Sequence, residues 1–343
     1  MPGAGGTTGT RQHGRPRDAI LHCMSSSTAP SPPPASQLRI AVALGALYVV
    51  WGSTYLAIRV AVETIPPLTQ SAVRFLIAGG LLYVVTIRSG DAATDRPGRR
   101  EWRDAAIIGG LLLAGGNGLV SVGEQTVPSG IAALIIATLP LWVAVIGRVA
   151  FGVVLTRTIL AGILLGFAGV AVLVWPTGGS GGFDPFGVAV LLVSPVLWAS
   201  GSLFSRTAHV PRRPLVGTAM QMLAGSAVLG VLAVATGDLF RLRPSEVTPA
   251  SLAAVAYLVL VGSLIGYTAY VWLLRVAPIS LVATYAYVNP VIAVILGSLI
   301  LAEPLAPRTM AAGVIILAAV AVIVRARAGE SRRIAPEEMG EPG

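Results

Sequence analysis

Two stretches of the chain decide the fold, because residues 277–297 repeat residues 127–147. They read VPSGIAALIIATLPLWVAVIG and, later, APISLVATYAYVNPVIAVILG. Each is long and apolar enough to cross a bilayer, which takes about 20 residues. Identical residues stand at a constant spacing of 150 positions: Pro128 and Pro278, Ala133 and Ala283, Pro140 and Pro290, Gly147 and Gly297. The chain is therefore predicted to contain two related membrane-spanning halves.

A second pair of segments supports the repeat. VVWGSTYLAIR and PVLWASGSLFSR match at a spacing of 147 positions, with Trp51 aligned to Trp198 and Arg59 to Arg206. Each half holds five apolar spans, and an odd number forces the second half to enter the membrane upside down. We predict an all-α integral membrane protein of ten helices in two inverted five-helix repeats, an architecture typical of secondary transporters. The predicted spans are 38–61, 67–87, 104–123, 128–150, 157–175, 185–205, 214–236, 249–272, 279–301 and 306–325.

Composition agrees with a multi-pass membrane protein. Of the 343 residues, 55% are hydrophobic and 11% are charged, whereas soluble domains carry about 25% charged residues. Mean hydropathy is +0.79. The net charge of +9 is assigned to arginine-rich cytoplasmic loops and not to nucleic acid. This rule predicts a multi-pass membrane protein with both termini in the cytoplasm.

The domain boundaries follow from these spans. Residues 1–37 are rich in Gly, Pro, Ser and Thr, and are predicted to be a disordered tail. Residues 38–175 form the first five-helix repeat, 176–325 the second, and 326–343 a cytoplasmic tail. Translation starts at either Met1 or Met24.

The sequence lacks the residues that several classes of protein function require. The single Cys23 excludes an internal disulfide framework, and no Cys/His spacing indicates a metal site. His13, His22 and His209 all lie outside the predicted spans. There is no lysine, hence no phosphate-binding GxxxxGK[ST] loop, and no HExxH or paired acidic motif. We therefore expect no enzyme activity, no cofactor and no metal.

Arg74 is the one charge predicted well inside a span, within TQSAVRFLIAGGLLYVV (69–85). It lies seven residues below the helix end, roughly 10 Å at 1.5 Å per residue. An arginine at a span centre costs about 2.5–3.5 kcal/mol on insertion scales. Its side chain either reaches outward to the interface or faces a central cavity and binds a substrate anion. At the repeat spacing its counterpart is Gln221, which favours a shared polar cavity.

Other polar and aromatic side chains are candidates for the same cavity, with bilayer-interface anchoring or helix–helix bonding as alternatives. The predicted substrate-binding set, besides Arg74 and Gln221, is Trp51, Ser53, Tyr55, Asn117, Trp198, Tyr285 and Asn289. Pro140 and Pro290 occupy matching mid-span positions and are predicted hinges. Glu124 is a weak candidate for proton coupling; the alternative is an interfacial charge at a helix end.

The segments from VVWGSTYLAIR to RFLIAGG and EQTVPSGIAALIIATLPLW resemble the EamA family of the drug/metabolite transporter superfamily. The resemblance covers roughly residues 38–325. It implies a ten-helix carrier of the inner (plasma) membrane that exports small metabolites such as amino acids.

The leading hypothesis is a secondary transporter that exports a small amino-acid-like, anionic or zwitterionic solute by alternating access. An importer, a carrier of lipid or sugar solutes, and a non-transporting channel or scaffold are the alternatives. Its partners would be a small-molecule substrate and the lipid bilayer, and a homo-oligomer is left open.

Overall fold

A computed structural model describes residues 37–89, 97–175, 183–277, 279–282 and 284–337. The predictions for Cys23, Met24, His13, His22, Pro278, Ala283 and most of the tails lie outside these residues. The described part contains helices and no strands. The membrane helices are α1 Gln37–Ala61, α2 Pro67–Arg88, α3 Arg99–Gly123, α4 Ser129–Phe151, α5 Arg157–Val174, α6 Pro185–Phe204, α7 Pro214–Ala235, α8 Pro249–Leu273, α9 Tyr285–Leu301 and α10 Pro307–Glu337.

These helices confirm the predicted fold class. Nine have the length and hydropathy of membrane spans, with α10 apolar over Pro307–Ala326, and α9 is a shorter apolar helix. Large apolar side chains such as Leu164, Leu299 and Val314 are exposed on their outer surfaces, as expected where a helix faces lipid chains.

Helix contacts follow the inverted repeat. The second helices of the two halves, α2 and α7, pack against each other, and so do the fifth helices, α5 and α10. Helix α1 packs against α8 and α9 of the second half, and α6 makes the equivalent contacts with α3 and α4. The halves are therefore interlocked around a shared centre, which places α1, α4, α6 and α9 next to one another.

Two π-helical segments, one in each half, lie at equivalent places. Residues Gly110–Gly118 within α3 and Leu258–Ile265 within α8 both form the wide turns of a π-helix. Such turns often mark functional sites. Both segments contribute to the central cavity described below.

Two helix starts differ from the predicted spans, and the two predicted hinge prolines lie in different backbone settings. Helix α3 begins at Arg99, because its first turns are polar and extend the helix beyond the apolar span. Helix α9 begins at Tyr285, after a separate short helix, Ile279–Val282. Helix α4 is interrupted by a turn just before Pro140, whose missing N–H cannot bond the preceding turn, whereas α9 runs continuously through Pro290.

The membrane helices end on two opposite faces. We call one the Glu124 face, formed by loops 62–66, 124–128, 236–248 and 302–306. The other, the arginine-rich face, is formed by loop 205–213 and the adjoining ends of α2, α3, α4 and α5. Within the Glu124 face, Arg59 donates to the carbonyl of Gln125 at 2.7 Å.

Two helices on the Glu124 face begin after a proline and are capped by carboxylates from the second half. Pro66 and Pro128 offer no side-chain acceptor to α2 and α4. The Asp238 carboxylate accepts from the Thr69 backbone N–H and hydroxyl, both at 2.9 Å. Glu303 accepts from the backbone N–H of Ser129 at 2.7 Å. These bonds satisfy amides that have no partner within their own helix.

We expect Asp238→Ala to lower the free energy of unfolding by about 1–3 kcal/mol, because it removes two bonds to a buried charged acceptor. Thermal unfolding in detergent measures the change. The control is Glu246→Ala, whose side chain is 68% exposed and should matter little. Equal stability of the two variants would contradict this capping role.

Candidate substrate cavity

A cavity lies between the two halves, lined by residues of α1, α2, α3, α4, α6, α8 and α9. Its volume is about 80 Å³. A cavity needs about 10–15 Å³ to hold one water molecule, so several water molecules fit. Its size therefore suits a small metabolite. Eight residues singled out from the sequence line it: Trp51, Tyr55, Arg74, Asn117, Trp198, Tyr285, Asn289 and Pro290.

Arg74 brings the positive charge of the cavity. Its residue surface is only 3% exposed, and its Nε donates to the Ser263 hydroxyl of α8 at 3.1 Å. Gly262 lies beside the guanidinium: a Cβ there would lie 3.5 Å from Arg74 Nη2, an ordinary van der Waals contact. Among the residues that the structure describes, no carboxylate lies within ion-pair distance of Arg74. Its remaining donors are available to a bound anion.

An aromatic cluster forms another part of the cavity wall. The Trp51 ring lies 5.6 Å from the Tyr267 ring and 5.1 Å from the Tyr285 ring, both edge-on. Tyr270 packs behind them, 5.1 Å from Trp51. This rigid arrangement offers apolar ring surface to the non-polar part of a solute.

Two asparagines add uncharged polar groups. Asn117 is carried by the π-helical segment of α3, and Asn289 by α9, one residue before Pro290. The Asn289 amide nitrogen donates hydrogen bonds to the backbone carbonyls of Tyr285, at 3.3 Å, and of Tyr48, at 3.2 Å. Neither asparagine carries a charge, so the cavity's formal charge comes from Arg74.

The cavity is sealed toward the Glu124 face. At that end Ile58, Val120 and Ala133 are 2%, 3% and 0% exposed. Helices α4 and α9 touch there: a Cβ on Gly130 would lie 3.1 Å from the Cα of Val294. Lining residues farther from this end, such as Trp51, Asn117 and Trp198, are partly exposed. The lining is therefore most tightly buried at the Glu124 end and more exposed farther from it.

Four residues from the sequence candidates do not line the cavity. Gln221 packs on α3 through its backbone, since a Cβ at Gly109 would lie 2.3 Å from its carbonyl oxygen. The Ser53 hydroxyl bonds to that of Tyr257 at 2.6 Å. Pro140 follows Leu139, which does line the cavity, and Glu124 is buried one helical turn beyond Val120.

The sequence argument missed the contribution of α8. Gly262 and Tyr267 line the cavity, and Ser263 holds Arg74. One signal was present: the spacing of 147 that aligns Trp51 with Trp198 also aligns Gly115 with Gly262. The π-helical turn itself has no comparable signature in the sequence.

Two inverted five-helix repeats around a central cavity form an architecture typical of membrane transporters. The model of the EamA-like transporter family matches residues 39–175 and 185–325. The chain belongs to this family.

Similar proteins carry transporter names. The uncharacterized inner membrane transporter YedA of Escherichia coli K12 is 41% identical over 282 residues, covering 82% of this chain and 89% of that protein. A probable amino-acid metabolite efflux pump of Salmonella typhimurium is 26% identical, covering 79% and 89%. A solved crystal structure with 23% identity has a TM-score of 0.55 and covers 84% of this chain and 96% of that one. That structure shares the fold.

Proposed function

We propose that this protein is a secondary transporter that exports a small anionic or zwitterionic metabolite, amino-acid-like in character, from the cytoplasm by alternating access. The single observation that carries the substrate class is the buried guanidinium of Arg74, which lines the cavity without a described carboxylate partner. A buried charge is stabilised when it is paired and hydrogen-bonded. A solute carboxylate would supply both, through the two parallel bonds that arginine forms best.

The rest of the cavity fits the remainder of such a solute. The Trp51, Trp198 and Tyr285 rings offer apolar surface, and an ammonium group of a zwitterion would be favoured over an aromatic face. A purely cationic solute would meet Arg74 with no lining carboxylate to offset the repulsion. We therefore propose that cations are excluded.

The proposed direction rests on orientation and on the relatives. Arginines concentrate on the arginine-rich face, which the distribution of basic residues favours as cytoplasmic. The cavity is more exposed toward that face, so its present form would load solute from the cytoplasm. One relative is named an efflux pump of amino-acid metabolites, which supports export.

The experiment is a solute panel with the purified full chain in proteoliposomes. Counterflow would be measured for neutral L-amino acids, for lactate and benzoate, and for the cation tetraphenylphosphonium. We expect exchange of at least one zwitterion or anion and none of the cation. Exchange of the cation alone, or of no member of the panel, would contradict the proposal.

A further inference from the structure

Glu124 is a fully buried carboxyl group at the sealed end of the cavity. It directly follows the last residue of α3 and is 0% exposed. Neither carboxyl oxygen has a hydrogen-bond donor among the described residues. Buried carboxylates normally accept several bonds, and an ionised one without partners is strongly disfavoured. The geometry therefore suits the protonated, neutral form.

The charged groups around Glu124 strengthen this conclusion. From α1, Arg59 directs its Nη1 to the backbone carbonyls of Glu124 and Gln125, and so engages the backbone and not the carboxyl group. From the loop after α9, Glu303 adds a negative charge. Burial and Glu303 raise the pKa of Glu124 well above its ordinary value, while Arg59 opposes them.

The two glutamates lie at opposite kinds of helix end. Glu303 accepts backbone N–H bonds from Ser129 and Gly130 at the N-terminus of α4, where the helix dipole favours a negative charge. Glu124 lies at the C-terminus of α3, where the dipole disfavours one. From the start of α6, Asp184 is ionised, because bonds from the Gly187 N–H and the Thr126 hydroxyl lower its pKa.

Tyr55 lines the cavity and lies near enough to Glu124 to interact with it electrostatically. Its hydroxyl can both donate and accept a proton. Ile58 and Val120, which also line the cavity, are apolar, so we assign the route between Glu124 and the cavity to the Tyr55 hydroxyl.

We propose that Glu124 is a proton-binding site that couples solute export to inward proton movement. It takes a proton from solution when the Glu124 face is open and holds it while that face is sealed. It releases the proton through the cavity, past Tyr55, only when solute loads from the arginine-rich face, so the solute-free sealed form keeps the proton. The coupling rests on the proposed transport function, whereas the protonated state of Glu124 in the sealed form does not.

The protonated state is tested first, on the purified full chain in detergent. Infrared difference spectroscopy detects a protonated carboxyl group by its C=O stretching band. We expect a band at neutral pH that Glu124→Gln lacks. The control Glu63→Gln removes an exposed carboxyl of the same face and should keep the band. Identical wild-type and Glu124→Gln spectra at neutral pH would overturn the proposal.

Coupling is tested in proteoliposomes with the solute that counterflow selects. For Glu124→Gln, we expect the solute accumulation that a pH gradient drives to fall about tenfold, a factor within the usual range for coupled sites. Counterflow without a gradient should be retained. Unchanged gradient-driven accumulation would refute the coupling. If the wild type moves no solute while the carboxyl band depends on Glu124, the transport function fails and the proton site stands. Glu124→Asp replaces Glu124→Gln if that variant does not fold: we expect its carboxyl band at a shifted frequency, and a band identical to that of the wild type would assign the band to another residue and overturn the proposal.

Discussion

Arg74→Ala is expected to reduce transport of a carboxylate solute by about tenfold or more, because a hydrogen-bonded pair with a charged group contributes about 1.5–3 kcal/mol and 1.4 kcal/mol is a factor of ten. Arg74→Lys should retain part of the rate, since lysine keeps the charge but loses the planar two-pronged donor. Initial rates of uptake into proteoliposomes measure both variants.

The matched control for Arg74 is Arg157→Ala. Arg157 is exposed at the start of α5, so its loss removes an arginine without touching the cavity. We expect this control to transport at the wild-type rate and to unfold at a similar temperature. Wild-type transport by Arg74→Ala would rule out the proposed contact between Arg74 and the solute.

Gly109→Ala is expected to destabilise the protein by about 1–3 kcal/mol or more, the range for overpacking. The added Cβ would lie 2.3 Å from the backbone oxygen of Gln221 and 2.8 Å from the backbone nitrogen of Gly225. A rigid backbone cannot give way as a side chain can, so α3 and α7 would have to separate. Thermal unfolding in detergent measures the loss.

Gly80→Ala is the control for this packing argument. Gly80 also lies within a helix, α2, but its added Cβ would have no heavy atom within 4 Å. Alanine favours a helix over glycine by roughly 0.5–1 kcal/mol, so this variant should be as stable as the wild type or more so. If Gly109→Ala and Gly80→Ala unfolded at the same temperature, the close approach of α3 and α7 would be refuted.

Apolar length and internal repetition predicted the helices well, because a bilayer imposes the same length on every span. The local backbone was harder to predict. In both π-helical turns the backbone N–H groups donate to carbonyls one residue farther back than in an α-helix. The pattern of hydrophobic residues does not reveal this difference. The interruption of α4 before Pro140 was foreseeable from proline chemistry, whereas the unbroken path of α9 through Pro290 depends on its packing.

The cavity was predicted in part. Arg74 is recognisable as a charge in an apolar run, and the structure places it at the cavity wall. Its repeat counterpart, Gln221, does not line the cavity, although α3, the helix on which it packs, does so through Asn117 and Val120. The backbone of Gln221 packs on α3 at Gly109. Symmetry thus relates the helices correctly but does not make both halves contribute the same side chains to one site.

The central claim is that Arg74 pairs with the negative group of the solute. The most direct measurement is a cycle of four binding constants: wild type and Arg74→Ala, each with the best-transported carboxylate and with its uncharged primary amide. We expect the amide to bind the wild type about tenfold or more weakly than the carboxylate, and the two solutes to bind Arg74→Ala about equally. The same carboxylate preference in both proteins would contradict the claim.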